Sequence, residues 1–321
     1  MNIHAQEDFS TAEQIEALRE DLRQLMAREG LSQADIARGA DIPYGTFTPW
    51  MTAKYKGDNA AIAAKVRRWL IAREEGRKVG VGLPAEPGFV ETATAREVLN
   101  ALQWAAQMPG IAVITLGPGM SKTSAAKEFE RRTPHAHRVV MRPSTGSVHS
   151  MVHEIAQRLQ VSERNPSRIV RAIGEKVQRN GRHPLIIVDE AQNLKDAAVD
   201  ELRHLLDEFG CGIALLGNED VSTRWGRATP KDGYGQLHRR IGLRIRRLKP
   251  LPEDVDAFLD AWGIQDEAML KYLRMIGNKP GALGQIAETI KFGSLLAAGE
   301  RRSLTVEDLK GAWANRSEEA R

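Results

Sequence analysis

In the stretch VITLGPGMSKTSAAKEF, residues 113–129, an apolar run enters a glycine-rich turn and leaves it on Lys122 and Thr123. Phosphate binding calls for such an arrangement: a thin backbone whose N–H groups surround phosphate oxygens at a helix N-terminus, a lysine for the β and γ groups, and a hydroxyl for magnesium. Gly117, Pro118, Gly119, Met120, Ser121, Lys122, Thr123 and Ser124 are therefore the candidate residues for ATP, with Thr123 also a candidate ligand of Mg2+. The loop departs from the pattern G-x-x-x-x-G-K-[ST] at both glycines, with Leu116 at the first and Ser121 at the second. Leu116 is expected to end a strand, and Ser121 to enter the first helical turn with negative φ. Taken alone, the loop favours phosphate binding, with a tight strand-to-helix turn as the alternative.

Two further strand ends favour the nucleotide. PLIIVDEAQNL brings Asp189 and Glu190 to the end of a buried apolar run, where Asp189 can hold magnesium through water and Glu190 can polarise an attacking water. IALLGN ends on Asn218, a polar group able to orient the same water. Other chemistries find less. His149 and His153 lie four apart, but HSMVH lacks the glutamate of H-E-x-x-H zinc peptidases. Ser144 and Ser147 stand in no nucleophile-elbow pattern.

The elements that must position these groups follow from periodicity. Short apolar runs at 111–116, 137–142, 184–189, 212–218 and 243–248 alternate with helical patterns at 122 onward, 147–160, 166–179 and 197–208. Such alternation implies an α/β fold, a parallel sheet covered on both faces. Residues 253–314 return to helical spacing and read as a C-terminal lid. At the other end, residues 13–72 read as an all-helical unit: Ile15, Leu18, Leu22 and Leu25 share a face, Gly30 ends the run, and Ser32 caps the next helix. A turn near Gly39 to Asp41 then gives a helix-turn-helix pattern. Its exposed DNA contacts are expected at Tyr44, Thr46, Thr48 and Lys54, with Lys56 in the following KYKGDN loop. The glycine- and proline-rich segment 74–88 reads as a linker. The organisation is thus 1–73 helix-turn-helix domain, 74–90 linker, 91–250 nucleotide-binding core and 251–321 helical lid.

Bulk composition agrees with this picture. A chain of 321 residues with 42% hydrophobic and 27% charged residues is of ordinary globular type. No apolar run is long enough to span a membrane, the first residues carry no secretory pattern, and the single cysteine, Cys211, cannot form an internal disulfide. These features point to a reducing cytoplasm. The net charge of +4 hides two basic clusters, one between Lys54 and Arg73 and one in RRIGLRIRRLK at 239–249, which suit a polyanion such as double-stranded DNA. Within the second, Arg244, Arg246 and Arg247 are the candidate phosphate contacts. The six tryptophans are scattered and read as packing residues.

The order of the three strand-end motifs resembles the AAA+ ATPases, with a P-loop sheet core and a helical lid. The whole chain, from the helix-turn-helix and KYKGDN through FVET to the core, is similar to the family of the phage Mu transposition protein B. The resemblance implies a homo-oligomer that forms helical filaments on double-stranded DNA, depends on ATP, captures target DNA and stimulates a DDE-type transposase. It implies catalytic roles for Glu190, Asn218 and Arg240, the last as an arginine finger in LHRRIG that reaches a neighbouring subunit's nucleotide. The family's second sensor arginine falls at Gly284, so that contact is missing or is supplied by Lys279, and hydrolysis is expected to be weak. A helicase loader of the same class, or a non-hydrolysing helix-turn-helix regulator, are the competing functions.

Overall fold

The computed structural model describes residues 11–80, 86–179, 184–227 and 235–316. The chain divides into two compact units, Met1–Leu83 with Ala298–Arg302, and Pro84–Ala297 with Ser303–Arg321.

The first unit is built on helices α1 (Ala12–Glu29), α2 (Gln33–Gly39), α3 (Tyr44–Met51) and α4 (Asn59–Gly80). Thr11 and Gln14 cap α1 reciprocally, and Gly30 ends it in the left-handed region at φ 68°. Ser32 and Asp35 form the same capping box on α2. The turn into α3 passes through Asp41 at φ 52°, a conformation that a short polar side chain tolerates better than most. Leu22, Ile36, Phe47, Trp50, Ala63 and Val66 are fully buried between these helices. The indole N–H of Trp50 donates to the carbonyl of Asn59 at 3.2 Å, which pins the start of α4 to that core. One expectation fails here. Residues 74–80, read as linker, are the last turns of α4. Extending an existing helix adds one hydrogen bond per residue without a new nucleus, and the first proline comes only at Pro84. The remainder of the expected linker, 81–85, lies outside the described residues.

The second unit begins with α5 (Ala93–Gln107), β1 (Ile111–Leu116) and α6 (Lys122–Arg132). It continues through β2 (Ala136–Val140), α7 (Val148–Arg158), α8 (Pro166–Arg179), β3 (Leu185–Asp189), α9 (Asp196–Phe209) and β4 (Gly212–Gly217). After α10 (Glu219–Arg224), α11 (Gly235–Arg240) and β5 (Ile241–Arg247) come four lid helices, α12 (Pro252–Ala261), α13 (Glu267–Gly277), α14 (Ala282–Gly299) and α15 (Val306–Arg316). The sheet is parallel throughout, in the order β2-β3-β4-β1-β5.

Alternation along the strands feeds two cores. Ile111, Val113, Ile186, Val188, Ile213 and Leu215 pack under α7, α8 and α9. Ala112, Ile114, Leu116, Ile187, Ala214 and Leu216 pack with α5 and α6. Burial on both faces is why these strands are continuous apolar runs in the sequence. The lid is tied to the sheet layer by Asp254, 1% exposed, which accepts from the backbone N–H and the hydroxyl of Thr94 at 2.8 and 2.5 Å. Strand order does the positioning: β3, β4 and β1 are neighbours, so their carboxyl ends place the acidic pair, Asn218 and the glycine loop along one edge.

Candidate nucleotide-binding site

A cleft of about 1090 Å3 opens at that edge. Its floor is the loop from Leu116 to Ser124 with Glu190, Gln192 and Asn218; its walls are Phe89 and Val90 on one side and Phe258, Trp262, Leu283 and Lys291 of the lid on the other.

The loop is shaped by close backbone approaches. A side chain at Gly117 would meet the Leu248 carbonyl oxygen at 2.3 Å, and one at Gly119, which sits at φ +71°, would meet the Gly281 carbonyl oxygen at 1.7 Å. Leu116 is a fully buried strand residue, as the sequence suggests. Ser121 is not in the conformation expected of it. It adopts φ 57°, ψ 15°, the left-handed region, where the family pattern has glycine, and its side chain makes no cap hydrogen bond. The loop geometry leading into α6 demands a positive φ whatever residue stands there, at a cost of about 1–2 kcal/mol for a non-glycine. Met120 turns its side chain into the core, 2% exposed, and offers only its backbone to the cleft.

The residues fit an anionic ligand. Among the described residues no backbone acceptor faces the N–H groups of Gly119 through Ser124, the first turn of α6 included. The ammonium of Lys122 and the hydroxyl of Thr123 have no partner there either. Six unsatisfied donors and the unpaired Lys122 at a helix N-terminus suit a phosphate group.

The acidic pair is differently engaged. Asp189, 1% exposed, accepts from Arg138 Nη1 at 3.1 Å and from the Glu190 backbone N–H at 3.1 Å. Glu190 is held at φ 58°, and its carboxylate accepts from the side-chain amide of Gln192. The other end of that amide accepts from the Asn218 backbone N–H at 3.4 Å, so Gln192 bridges the acid and the polar strand end. Asn218 Oδ1 caps α10 through the Asp220 N–H at 3.0 Å, leaving Nδ2 as its free donor. The hard oxygens of Thr123 and Asp189 suit Mg2+ in kind, but only Thr123 lines the cleft; Asp189 is buried with both oxygens engaged and is not among the lining residues.

Sequence reasoning missed Arg138 and Gln192, whose roles depend on register and on a turn, and it treated Trp262 as packing. Trp262 is 6% exposed, lines the cleft, packs edge-to-face on Phe258 and has a buried Nε1 with no acceptor among the described residues. Lys279, expected as a replacement sensor, lies over the Trp313 ring at 5.8 Å, away from the cleft. The lid cation lining the cleft is Lys291, paired with Glu86 at 2.9 Å and Glu288 at 3.3 Å. Gly284 is in backbone contact with the loop, its N–H donating to the Gly119 carbonyl at 3.2 Å, so a side chain there would press on Gly119.

The remaining candidates lie apart. Arg240 sits beside the first residue of β5, at the amino edge of the sheet, and pairs with Asp207 at 2.6 Å. It is not among the residues that line this chain's cleft. On edge strand β5, Arg246 pairs with Glu219, Arg247 with Glu97 at 2.8 Å, and Arg244 donates to the Ile241 carbonyl. In the first unit Tyr44, Lys54 and Lys56 are exposed and Thr46 is half-buried. Thr48 corrects the expectation of exposure: it is half-buried beside Phe47, and its hydroxyl is buried without a partner among the described residues. His149 and His153 meet edge to face with ring centroids 4.4 Å apart, and the described residues hold no group of three or more metal-ligating side chains.

With β4 inserted between the loop strand and the acidic strand, and lid helices following β5, this chain is an ATPase of the AAA+ class. Residues 86–224 match the AAA domain family. The fold is shared with Cdc6p from Pyrobaculum aerophilum, at a TM-score of 0.55 and 15% identity, covering 74% of this chain and 70% of that one. Within that class, residues 239–315 match the family described as Mu B transposition protein, C terminal. The chain is 30% identical over 301 residues to the ATP-dependent target DNA activator B of Escherichia phage Mu, covering 93% of this chain and 95% of the relative. It is 32% identical to the Mu-like prophage FluMu DNA transposition protein B of Haemophilus influenzae, over 84% of this chain and 93% of that one. The chain belongs to the family of Mu B transposition proteins.

Proposed function

We propose that this protein is an ATP-dependent activator of target DNA in transposition, a homo-oligomer that assembles on double-stranded DNA and engages a DDE-type transposase in the bacterial cytoplasm. The observation that carries the reading is the phosphate cradle, six unsatisfied N–H groups with the unpaired Lys122, in a chain collinear with the phage Mu target DNA activator. ATP bound there would supply a cleavable phosphoryl group, and a bound Mg2+ would neutralise phosphate charge. The loop N–H groups and Lys122 hold the phosphates; Thr123 and Asp189 are the oxygens for the metal. Phe89, Phe258 and Trp262 give the base an apolar slot. Glu190, steadied by Gln192, takes the proton of an attacking water, and the Asn218 amide orients it.

Arg240, at the opposite edge from its own cleft, acts on the neighbour's nucleotide once Asp207 releases it. Hydrolysis therefore depends on assembly. Tyr44, Thr46, Lys54 and Lys56 of the helix-turn-helix domain and Arg244, Arg246 and Arg247 of β5 supply contacts to DNA. Most of these are phosphate contacts, which carry little sequence preference. Electron microscopy with DNA, with and without ATP, for wild type and Lys122→Ala tests the reading. Filaments that need both ATP and Lys122 support it. Isolated complexes at one sequence irrespective of ATP identify a regulator instead, and capture of a helicase ring rather than a transposase identifies a loader.

A further inference from the structure

The aspartate assigned to magnesium already holds a cation. On β2, Arg138 shares a sheet face with Asp189 of β3, one diagonal step away in the register that pairs Arg138 with Ile187 and Val140 with Asp189. A long side chain spans such a diagonal readily. Its Nη1 lies 3.1 Å from Asp189 Oδ2, and both groups are withdrawn from water, with side-chain exposures of 16% and 1%. Arg138 Nε is buried without a partner, and Asp189 is the one carboxylate that the guanidinium pairs with among the described residues. The second oxygen of Asp189 is occupied by the Glu190 N–H. Nothing in the nucleotide-site reading accounts for this pair, since the acidic strand end could carry its aspartate without it.

We propose that Arg138 is a built-in counter-cation for Asp189 that competes with the divalent metal and sets how strongly ATP binding depends on it. The proposal rests on the nucleotide-site reading above. A triphosphate entering the cleft brings several negative charges toward a carboxylate that water cannot screen. Neutralised by Arg138, Asp189 does not repel it, and ATP binds without metal. When the metal arrives, it shares Asp189 with a fixed cation, so its hold on that oxygen is weakened. Arg138 thus reduces the coupling between metal and ATP from both directions. By linkage, the factor by which metal tightens ATP equals the factor by which ATP tightens metal. Arg138 touches neither ligand; it is a positioning residue acting through Asp189.

The test measures the affinity of the full chain for a non-hydrolysable fluorescent ATP analogue in EDTA and in saturating Mg2+, together with Mn2+ binding to the ATP-analogue-loaded protein by electron paramagnetic resonance. Wild type is expected to bind the analogue in EDTA within about tenfold of its affinity in Mg2+. Arg138→Gln is expected to widen that ratio by at least another tenfold, chiefly by weakening the EDTA value, and to bind Mn2+ correspondingly tighter. An unchanged ratio overturns the proposal. Because Arg138→Gln strands a buried carboxylate and can fail to fold, Asp189→Asn gives an isosteric second arm. It leaves Arg138 as an unmatched cation, so the EDTA affinity should rise about fivefold above wild type and lose its response to Mg2+. An EDTA affinity no higher than wild type overturns the proposal as well. Absence of analogue binding by wild type in either condition is a different result, which removes the nucleotide site itself.

Discussion

Gly119→Ala isolates what the lid contact demands of the phosphate loop. Gly119 at φ +71° and Gly210 at φ +65° have nearly the same backbone, but a Cβ at Gly210 meets nothing within 4 Å, whereas one at Gly119 lies 1.7 Å from the Gly281 carbonyl oxygen and 2.6 Å from its carbon. Both substitutions incur the left-handed penalty, about 1–2 kcal/mol. Only Gly119→Ala also requires that the loop or the lid move by roughly 1.5 Å to restore an ordinary contact, an overpacking cost of about 1–3 kcal/mol. The atoms in the way are backbone of the turn that starts α14, so no rotamer change relieves the clash. At roughly 2–4 °C per kcal/mol for a unit of this size, Gly210→Ala should lower Tm by about 4 °C and Gly119→Ala by about 10 °C. If the lid swings away instead, the Gly284 N–H loses the Gly119 carbonyl, now 3.2 Å away, and the loss appears as weaker ATP binding. Thermal melts and ATP titration of both variants decide between these. Two variants with the same Tm and wild-type ATP affinity would refute the claim that lid and loop are locked backbone to backbone.

Other outcomes are equally definite. Lys122→Ala should lower ATP affinity at least tenfold with an unchanged melt, since that ammonium has no partner whose loss could destabilise the fold; Glu190→Gln should bind ATP normally in a titration while phosphate release falls by about a hundredfold or more. Glu128 is held down to about 2 by its hydrogen bond to Arg131, then Arg132, against an ordinary value of 4.5. Its stabilising contribution is complete above about 4.5 and is lost as pH falls toward 2. The acid limb of a pH–stability curve should therefore be shallower in Glu128→Gln. Burial pushes the Cys211 thiol up to about 12, so iodoacetamide should label it at pH 8 only as fast as the unit opens, and a rate matching an exposed thiol would contradict its burial. Arg246→Ala with Arg247→Ala should weaken DNA binding on all sequences and reduce the salt slope by about two; an unchanged slope would confine these arginines to their pairs with Glu219 and Glu97.

The sequence by itself determined the α/β pattern, the glycine loop with Lys122 and Thr123, the acidic pair after β3, and the capped helices of the first unit. Those features are local: a strand buried on both faces is written as an apolar run, a cap as a serine or threonine three residues before its partner, and a loop that admits phosphate as glycines and a lysine in fixed spacing. Ser121 shows the limit of that legibility. Its identity suggests ordinary helical φ, and only the path imposed by β1, α6 and the lid forces it left-handed. The same holds for α4, which runs through seven residues that composition alone assigns to a linker. What tertiary structure decided lies between elements distant in the chain: Arg138 on Asp189 across 51 positions, Gly284 against Gly119, Gln192 between Glu190 and Asn218, and Arg240 at the far edge of the sheet. No residue pattern within a short window records those contacts. Arg138 and Asp189 pair because groups withdrawn from water must find partners in whatever strand order the whole chain adopts, and the position of the half-exposed Arg240 follows from that same strand order.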